Sequence, residues 1–338
     1  MSPTKQNAAA RAANVNLVKS LLRSGEGARA LQTIGDRWSF LLLRDAFLGA
    51  RRFEDFRRLT GAARGTLSSR LGAFVDEGIL YRAPYGSVPG RHEYRLTDKG
   101  LALYPLALSL WNWETRWSSE FGLPPRLVHE ACGRKMHPQL TCAHCGQVVD
   151  ARDVSFEAGP GARAYGTKVK ENRRRRSLSG TPAAGVDTTM FHSIDTIGDR
   201  WSGLLLASLF LGLRRHDDIN AALGIATNIL SDRLRRLLSA GVIEQHLYRD
   251  RPARYEYRLT EKGRDFYPFV MTLHEWATTW LRSPLGPALR FRHRSCGHTL
   301  RSRMACSECH AQIDPHEVGV KAGVDWRRTR RLPPTRSR

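Results

Sequence analysis

The sequence predicts a mainly α (α+β) protein in which one helix-rich unit is present twice. The string TIGDRW occurs at Thr33–Trp38 and again at Thr196–Trp201, an offset of 163 residues. The same offset places Arg91–Gly100 (RHEYRLTDKG) on Arg254–Gly263 (RYEYRLTEKG), with eight of ten positions identical. At 338 residues the chain is also long for one domain, since domains usually contain about 100–200 residues. We therefore expect two tandem domains.

Within each repeat, apolar spacing and stop signals predict five elements in a fixed order. In the first repeat they are a helix, a short helix, a third helix, a hairpin with a Pro- and Gly-containing tip, and a long final helix capped by a threonine. The predicted ranges are Ala30–Phe47, Phe53–Leu59, Arg64–Glu77, Ile79–Ala83 with His92–Leu96, and Thr97–Trp117. This is the order of a winged helix-turn-helix domain.

Composition excludes several classes of protein. Hydrophobic residues make up 41% and charged residues 25%, so each half can bury a core. A wholly disordered chain and a small disulfide-stapled chain are therefore excluded. The longest uncharged apolar stretch, Leu101–Trp113, is shorter than the ~18 residues needed to span a bilayer, and the first residues show no apolar signal-peptide core. We expect a cytoplasmic protein without a membrane association.

The net charge favours a polyanionic partner. Lys and Arg number 54 against 32 acidic residues, which gives +22. Two segments, Gly159–Val186 and Val320–Arg338, each hold seven basic residues and one acidic residue, and the first contains the block Arg173–Arg176. We predict that both are flexible arms that contact phosphates, with a role in solubility as the alternative.

Taken together, the motifs IGDRW, LLLRDAFLGARRFEDF, LSSRL, YRLTDKG and YPLALSLW resemble the HxlR-type winged-helix transcription regulators. The resemblance covers Ala28–Phe121 and Ser193–Leu285. It implies a sequence-specific regulator that binds double-stranded DNA, and nucleoid association when DNA is bound. No Gly-rich phosphate loop, Ser-His-Asp arrangement or pair of carboxylates stands out in the sequence, so we do not expect an enzyme. Members usually act as dimers on near-palindromic sites, so we expect a homodimer or an internal pseudo-dimer. A small-molecule effector is left open.

Two features depart from the family pattern. Asp36 and Asp199 stand where members usually carry a second glycine. Some members also carry an oxidation-sensing cysteine just before the first helix, whereas Gly25–Ala28 and Thr189–His192 contain none. Thiol sensing at that position is therefore not expected.

The second helix of a helix-turn-helix enters the major groove with its N-terminal residues at the base edges. The predicted contacts are Arg64, Thr66, Ser68, Ser69 and Arg70 in the first repeat, and Thr227, Asn228, Ser231, Asp232 and Arg233 in the second. Arg64 can read guanine and Asn228 can read adenine. Arg70 and Arg233 are explained equally well by an ion pair inside the motif.

The hairpin tips are expected to contact phosphates or the minor groove, with a solvated tip as the alternative. Their polar residues are Arg82, Tyr85, Ser87 and Arg91 in the first repeat, and Arg249, Arg251 and Arg254 in the second. Trp38, Trp113 and Trp117 recur in both repeats among Leu and Phe, so core packing is favoured for them over a ligand pocket between helices.

Six cysteines form two triplets, each C-x9-C-x2-C with a histidine three residues before the first. Tetrahedral zinc binds four sulfur or nitrogen ligands, and of the histidines near the triplets only His129 and His293 recur in both repeats. We predict one structural zinc site per repeat, two per chain, with ligands His129, Cys132, Cys142 and Cys145, and His293, Cys296, Cys306 and Cys309. A thiol-redox-responsive protein that uses its CxxC pairs is the alternative.

The predicted domain organisation follows from these motifs. It consists of an N-terminal amphipathic helix (1–25), winged-helix domain 1 (26–122), zinc-binding knuckle or ribbon-like element 1 (123–158), a flexible basic linker (159–187), winged-helix domain 2 (188–286), zinc-binding element 2 (287–320) and a disordered basic tail (321–338).

Overall fold

The computed structural model describes residues 3–84, 90–118, 126–163 and 190–321. The first half contains α1 (Pro3–Ser24), α2 (Glu26–Ile34), α3 (Arg37–Phe47), α4 (Phe53–Thr60), α5 (Arg64–Asp76), β1 (Leu80–Pro84), β2 (His92–Leu96), α6 (Asp98–Leu101), α7 (Tyr104–Trp117), β3 (Arg126–His129), β4 (Arg134–Lys135), β5 (Pro138–Cys142) and β6 (Val154–Ala158).

The second half repeats the arrangement after a gap in the described residues. It contains α8 (Phe191–Ile197), α9 (Arg200–Phe210), α10 (His216–Leu223), α11 (Thr227–Ser239), β7 (Ile243–Arg249), β8 (Arg254–Leu259), α12 (Glu261–Arg264), α13 (Tyr267–Trp280), β9 (Leu289–His293), β10 (Ser302–Cys306) and β11 (Val318–Lys321). Both halves have the element order of a winged helix-turn-helix, with an antiparallel hairpin as the wing.

Two predicted helices are each divided, so the prediction of a single helix was wrong in both places. Over Ala30–Phe47 the chain breaks at Gly35, and the Asp36 carboxylate caps α3 by accepting hydrogen bonds from the backbone N–H groups of Trp38 and Ser39. Over Thr97–Trp117, Thr97 caps only the short α6, and a new helix begins at Tyr104. Pro105 has no N–H and suits the first turn of that helix.

The two predicted zinc-binding elements do not form separate units. Each sheet that spans them pairs a strand from the first element with a strand from the second: β3 pairs with β11, β5 with β10, and β6 with β9. In the β5–β10 pair, Leu140 lies opposite Met304, its own counterpart in the second triplet. A segment that pairs with its own copy in this way is the signature of a two-fold axis. The chain therefore folds as two similar halves joined by one intertwined module, which we call the strand-exchanged module (126–163 and 289–321).

The start of the predicted linker is part of this module. Pro160–Arg163 forms a short 3-10 turn, and the backbone N–H of Gly159 donates to the carbonyl of Ala288. Arg173–Arg176, the tail beyond residue 321, and the wing residues Tyr85 and Ser87 lie outside the described residues. Among the described helices, none is both long and apolar enough to cross a bilayer.

Candidate nucleic-acid interface and metal centres

The recognition helix of the first repeat, α5, has one buried face and one exposed face. Leu67, Leu71 and Phe74 are buried against the rest of the domain, which turns Arg64, Ser68 and Ser69 to the outside. Thr66 is half-buried. The Arg64 side chain is 73% exposed, and its guanidinium lies 2.9 Å from Glu54 Oε1. Glu54 also binds Arg57, and that hydrogen bond lowers the pKa of the Glu54 carboxyl. Arg64 is thus held at the start of the helix by an ionised partner.

The recognition helix of the second repeat, α11, is built in the same way. Leu230, Leu234 and Leu237 are buried, whereas Thr227 and Asn228 are exposed at the first two positions of the helix and Ser231 is half-buried. Asp232 contacts three arginines of the same helix, so its carboxylate is neutralised locally: they are Arg233, Arg235 and Arg236. Arg235, whose side chain is 73% exposed, was not singled out from the sequence.

Arg70 forms an ion pair with Asp36, which caps α3, and Arg233 forms an ion pair with Asp199, which caps α9. Arg70 Nη1 lies 3.3 Å from Asp36 Oδ2, and Arg233 Nε lies 2.8 Å from Asp199 Oδ2. Both arginine side chains are largely buried, at 16% and 11% exposure. The geometry therefore favours the structural one of the two roles left open by the sequence. The two aspartates that depart from the family pattern are the partners.

The described wing residues are exposed. This holds for Arg82, Arg91, Arg249, Arg251 and Arg254. The second wing has the longer strands and also exposes Leu247, Tyr248 and Tyr255. The Arg215 guanidinium lies 4.2 Å from the centre of the Tyr248 ring. The second wing therefore presents basic and aromatic groups together.

The eight sequence-predicted metal ligands gather into two clusters, but each cluster draws on both halves. Within a cluster the ligand atoms all lie within 4.8 Å of one another. The first cluster consists of His129, Cys132, Cys306 and Cys309, and the second of Cys142, Cys145, His293 and Cys296. The prediction of one site per repeat was wrong in its grouping. The strand exchange explains it, because it brings the His-x2-Cys pair of one half to the Cys-x2-Cys pair of the other.

The separations within the clusters fit a tetrahedral metal ion. Cys132 Sγ lies 3.9 Å from Cys306 Sγ, and His129 Nδ1 lies 3.2 Å from Cys309 Sγ. In the second cluster His293 Nδ1 lies 3.5 Å and 3.4 Å from the sulfurs of Cys145 and Cys296. With Zn–S near 2.3 Å and Zn–N near 2.0 Å, tetrahedral angles give separations of about 3.8 Å and about 3.5 Å. Each Cys3His cluster can therefore hold a metal ion.

The surroundings of the clusters are those of structural sites. Both histidines are fully buried, and His129 Nε2 lies 3.5 Å from Glu317 Oε2, which places a carboxylate behind that ligand. Burial opposes ionisation of Cys142, yet hydrogen bonds from the backbone N–H groups of Cys145 and His144 lower the pKa of its thiol. The equivalent Cys306 accepts the same kind of backbone hydrogen bonds, from Cys309 and Glu308, but burial raises the pKa of its thiol. In both knuckles the backbone N–H groups favour the thiolate that a metal requires. All six cysteines are free thiols.

Comparisons with known proteins agree with this architecture. The HxlR-like helix-turn-helix family model matches residues 33–121 and 196–284, together more than half of the chain. An uncharacterized HTH-type transcriptional regulator of Mycobacterium tuberculosis is 45% identical over 137 residues, which are 40% of this chain and 87% of that protein. Another from Synechocystis sp. is 38% identical over 91 residues, 27% of this chain and 67% of that protein.

A solved structure of a candidate transcription factor from Pseudomonas aeruginosa is 33% identical, with 39% of this chain and 90% of that chain covered and a TM-score of 0.31. Because 137 residues are most of the mycobacterial relative, that protein is about half as long as this chain. The chain belongs to the HxlR-like helix-turn-helix family of transcriptional regulators, and it carries two copies of the family domain in one polypeptide.

Proposed function

We propose that the two recognition helices read two unlike half-sites of one duplex DNA. The observation that carries the proposal is that both helices are held by the same Asp–Arg pair and both turn uncharged polar or basic groups outward at their N-terminal ends. Winged-helix readers place that end of the helix at the base edges. The internal pseudo-dimer replaces the two subunits that a single-domain regulator would need.

The proposed base contacts differ between the helices. Arg64 forms a bidentate pair with guanine once it releases Glu54, and Asn228 pairs with adenine. The neighbouring hydroxyl groups contact bases or phosphates: they belong to Thr66, Ser68, Ser69, Thr227 and Ser231. The two sets have only one residue in common at equivalent positions, the serine at Ser68 and Ser231, so the half-sites should not be a perfect palindrome. Arg70 and Arg233 are left out of the reading set, since their ion pairs commit them to the fold.

The wings are proposed to contact the DNA backbone. The basic wing residues are exposed: they are Arg82 and Arg91 in the first wing, and Arg249, Arg251 and Arg254 in the second. Their contacts to phosphates would position the protein without reading the DNA sequence. Together with Arg173–Arg176 and the basic tail they would release counterions on binding, so affinity should fall steeply with salt. The proposed activity is binding without catalysis, in the cytoplasm and at the nucleoid.

Each Cys3His cluster is proposed to hold one structural zinc ion, two per chain. Four protein ligands leave no open position for a water nucleophile, so the ion would have a structural role. Its ligands come from opposite halves, so it would fix the strand-exchanged module and with it the relation between the two recognition helices. Reversible oxidation of the CxxC pairs is the alternative, and metal content in reduced protein separates the two.

DNA binding is tested by selecting duplexes from a randomised pool at low ionic strength and measuring their affinity by fluorescence anisotropy. Arg64→Ala combined with Asn228→Ala should weaken the selected sequence by roughly 10²-fold or more, since each bidentate pair is worth about 1–3 kcal/mol, and should change random DNA far less. Arg152→Ala, an 81% exposed arginine in the strand-exchanged module, is the matched control. Failure to retain any duplex would refute the proposal, and equal losses on both DNAs would remove the two residues from base reading.

A further inference from the structure

A cavity lies where the two halves meet, and DNA binding makes no use of it. Its walls come from α1 and α2 of the first half, α9 and α13 of the second, and strands β6 and β9 of the strand-exchanged module. It measures about 860 Å³ when the solvent at its mouth is included. Most of the lining is apolar and much of it aromatic, with Phe156, Phe210, Phe269 and Phe291 around it. A mostly apolar and partly aromatic lining with a few polar groups is typical of small-molecule sites.

Tyr267 lies in the wall of the cavity and carries a buried hydroxyl group. The residue is 5% exposed, its ring packs against Phe210 at 5.2 Å between centroids, and its hydroxyl has no hydrogen-bond partner among the described residues. Buried hydroxyl groups are normally paired, because an unpaired one loses its interaction with water and gains nothing in return. An acceptor atom on a bound molecule would satisfy it.

The other polar groups in the wall disfavour an anionic ligand. His274 lies with its ring edge-on to Phe291, and burial lowers the pKa of His274 to about 4, so the imidazole is neutral near pH 7. Glu26, which is 2% exposed, places a carboxylate in the wall and accepts a hydrogen bond from the backbone N–H of Ala288. A carboxylate at this place disfavours anions. The wall thus offers hydrogen bonds without a net positive charge.

The two repeats differ at three positions of the cavity wall. Gly203, Ala207 and His274 line the cavity, and the 163-residue offset maps them to Phe40, Arg44 and Trp111. These three larger residues are buried in the first half, at 2%, 1% and 7% exposure, and Arg44 is paired with Asp45 at 2.8 Å. The second repeat therefore has less side-chain volume than the first at three equivalent positions.

We propose that this cavity binds a small, predominantly aromatic molecule that is not anionic and that carries one hydrogen-bond acceptor. The acceptor takes a hydrogen bond from the Tyr267 hydroxyl, and the molecule lies against His274. The proposal concerns a second site and does not depend on DNA recognition. Two of the cavity walls, α9 and α1, also contact the helix-turn-helix of the second repeat. Asp199 at the start of α9 pairs with Arg233 of α11, and Arg23 of α1 donates hydrogen bonds to the backbone carbonyls of Ala221 and Ala222 in α10.

The test uses the full chain and Prodan, a naphthyl ketone whose fluorescence shifts to the blue in apolar surroundings. We expect saturable binding of one molecule per chain. Tyr267→Phe should weaken it roughly tenfold, the usual worth of one hydrogen bond, and Tyr104→Phe, the equivalent residue of the first half, should leave it unchanged. Binding of 2-ethylnaphthalene, which has no acceptor and is followed by thermal shift, should be indifferent to Tyr267→Phe.

A second variant fills the cavity with the residue of the other repeat. His274→Trp should abolish Prodan binding, with circular dichroism and the melting temperature showing that the chain is folded. If that variant does not fold, the comparison of Tyr267→Phe with Tyr104→Phe decides. The proposal is overturned by the absence of saturable binding, by unchanged binding in folded His274→Trp, or by equal losses in the two tyrosine variants. DNA does not enter these measurements, so their failure would leave the DNA-binding proposal untouched.

Discussion

The indole Nε1 of Trp113 donates a 2.9 Å hydrogen bond to the backbone carbonyl of Lys262, in the other half of the chain. The equivalent Trp276 donates a bond of the same length to the carbonyl of Lys99. Both acceptors lie in the short helix that follows a wing. Helix α7 of the first half therefore contacts the base of the second wing, and α13 of the second half contacts the base of the first wing. These two bonds couple the two halves.

Loss of these bonds should destabilise the pairing of the halves. Trp113→Phe removes the donor from a residue that is 1% exposed and stacks on Phe266 at 4.4 Å, so it also opens a small cavity. We expect Trp113→Phe and Trp276→Phe each to lower the free energy of unfolding by about 1–3 kcal/mol. Urea unfolding followed by circular dichroism measures this. Trp280→Phe, at a 38% exposed position, should change it by less than about 0.5 kcal/mol; equal effects at all three sites would contradict the coupling.

Loss of the ion pair between Asp36 and Arg70 should lower the free energy of unfolding, because we assign the pair to the fold and not to DNA contact. Asp36→Asn and Arg70→Met each leave one largely buried charge without its partner, so we expect a loss of about 1–3 kcal/mol for each. The double variant should lose less than the sum of the two, which a double-mutant cycle in urea measures. The same double-mutant cycle on Asp199 and Arg233, the equivalent pair of the second repeat, should give the same result. A phosphate-binding role for Arg70 would instead give weaker DNA binding with unchanged stability.

Local sequence patterns predicted the two winged helix-turn-helix domains correctly, because the helix-turn-helix and the wing depend on contacts between residues close in sequence. The break at Gly35–Asp36 was missed because the apolar spacing continues through it; only the cap contacts of Asp36 end one helix and begin another. Those contacts need a side-chain carboxylate, which a glycine at this position would lack. Asp36 caps α3 and also pairs with Arg70 of the recognition helix. The sequence contained a signal for this pair, because Asp36 and Arg70 recur together as Asp199 and Arg233.

The grouping of the metal ligands could not be predicted in the same way. Spacing within each triplet is compatible with a site in one repeat or with a site shared between repeats, and the pairing of β5 with β10 joins segments more than 150 residues apart. The cavity is a similar case. Phe40 and Gly203 can be aligned from the sequence, but the alignment does not show that Leu31 of α2 packs against α9 at the glycine, where a Cβ would lie 3.0 Å from the Leu31 side chain.

The crossed clusters can be distinguished from one site per repeat by counting zinc in double variants. Cys132→Ser with Cys306→Ser removes two ligands of the same cluster, so we expect one zinc ion per chain to remain. Cys132→Ser with Cys142→Ser, both in the first triplet, damages both clusters and should leave none. Elemental analysis of freshly purified, reduced protein gives the number. One remaining ion in the second variant would restore the one-site-per-repeat grouping, and none in the unmodified chain would favour the redox alternative.

His274 should make stability depend on pH in the acid range. Burial lowers its pKa from 6.5 in the unfolded chain to about 4, with the positive charge of Arg301 as a smaller cause. The unfolded state therefore binds a proton first as the pH falls, so this contribution is intact above pH 6.5 and is lost progressively between pH 6.5 and 4, by up to about 3 kcal/mol. Urea unfolding at several pH values should show this slope in the unmodified chain, while His274→Leu should show a shallower one. All other titratable groups are the same in both proteins, so the difference between the two slopes isolates His274. Identical slopes would mean that the imidazole is as accessible to protons in the folded chain as in the unfolded one.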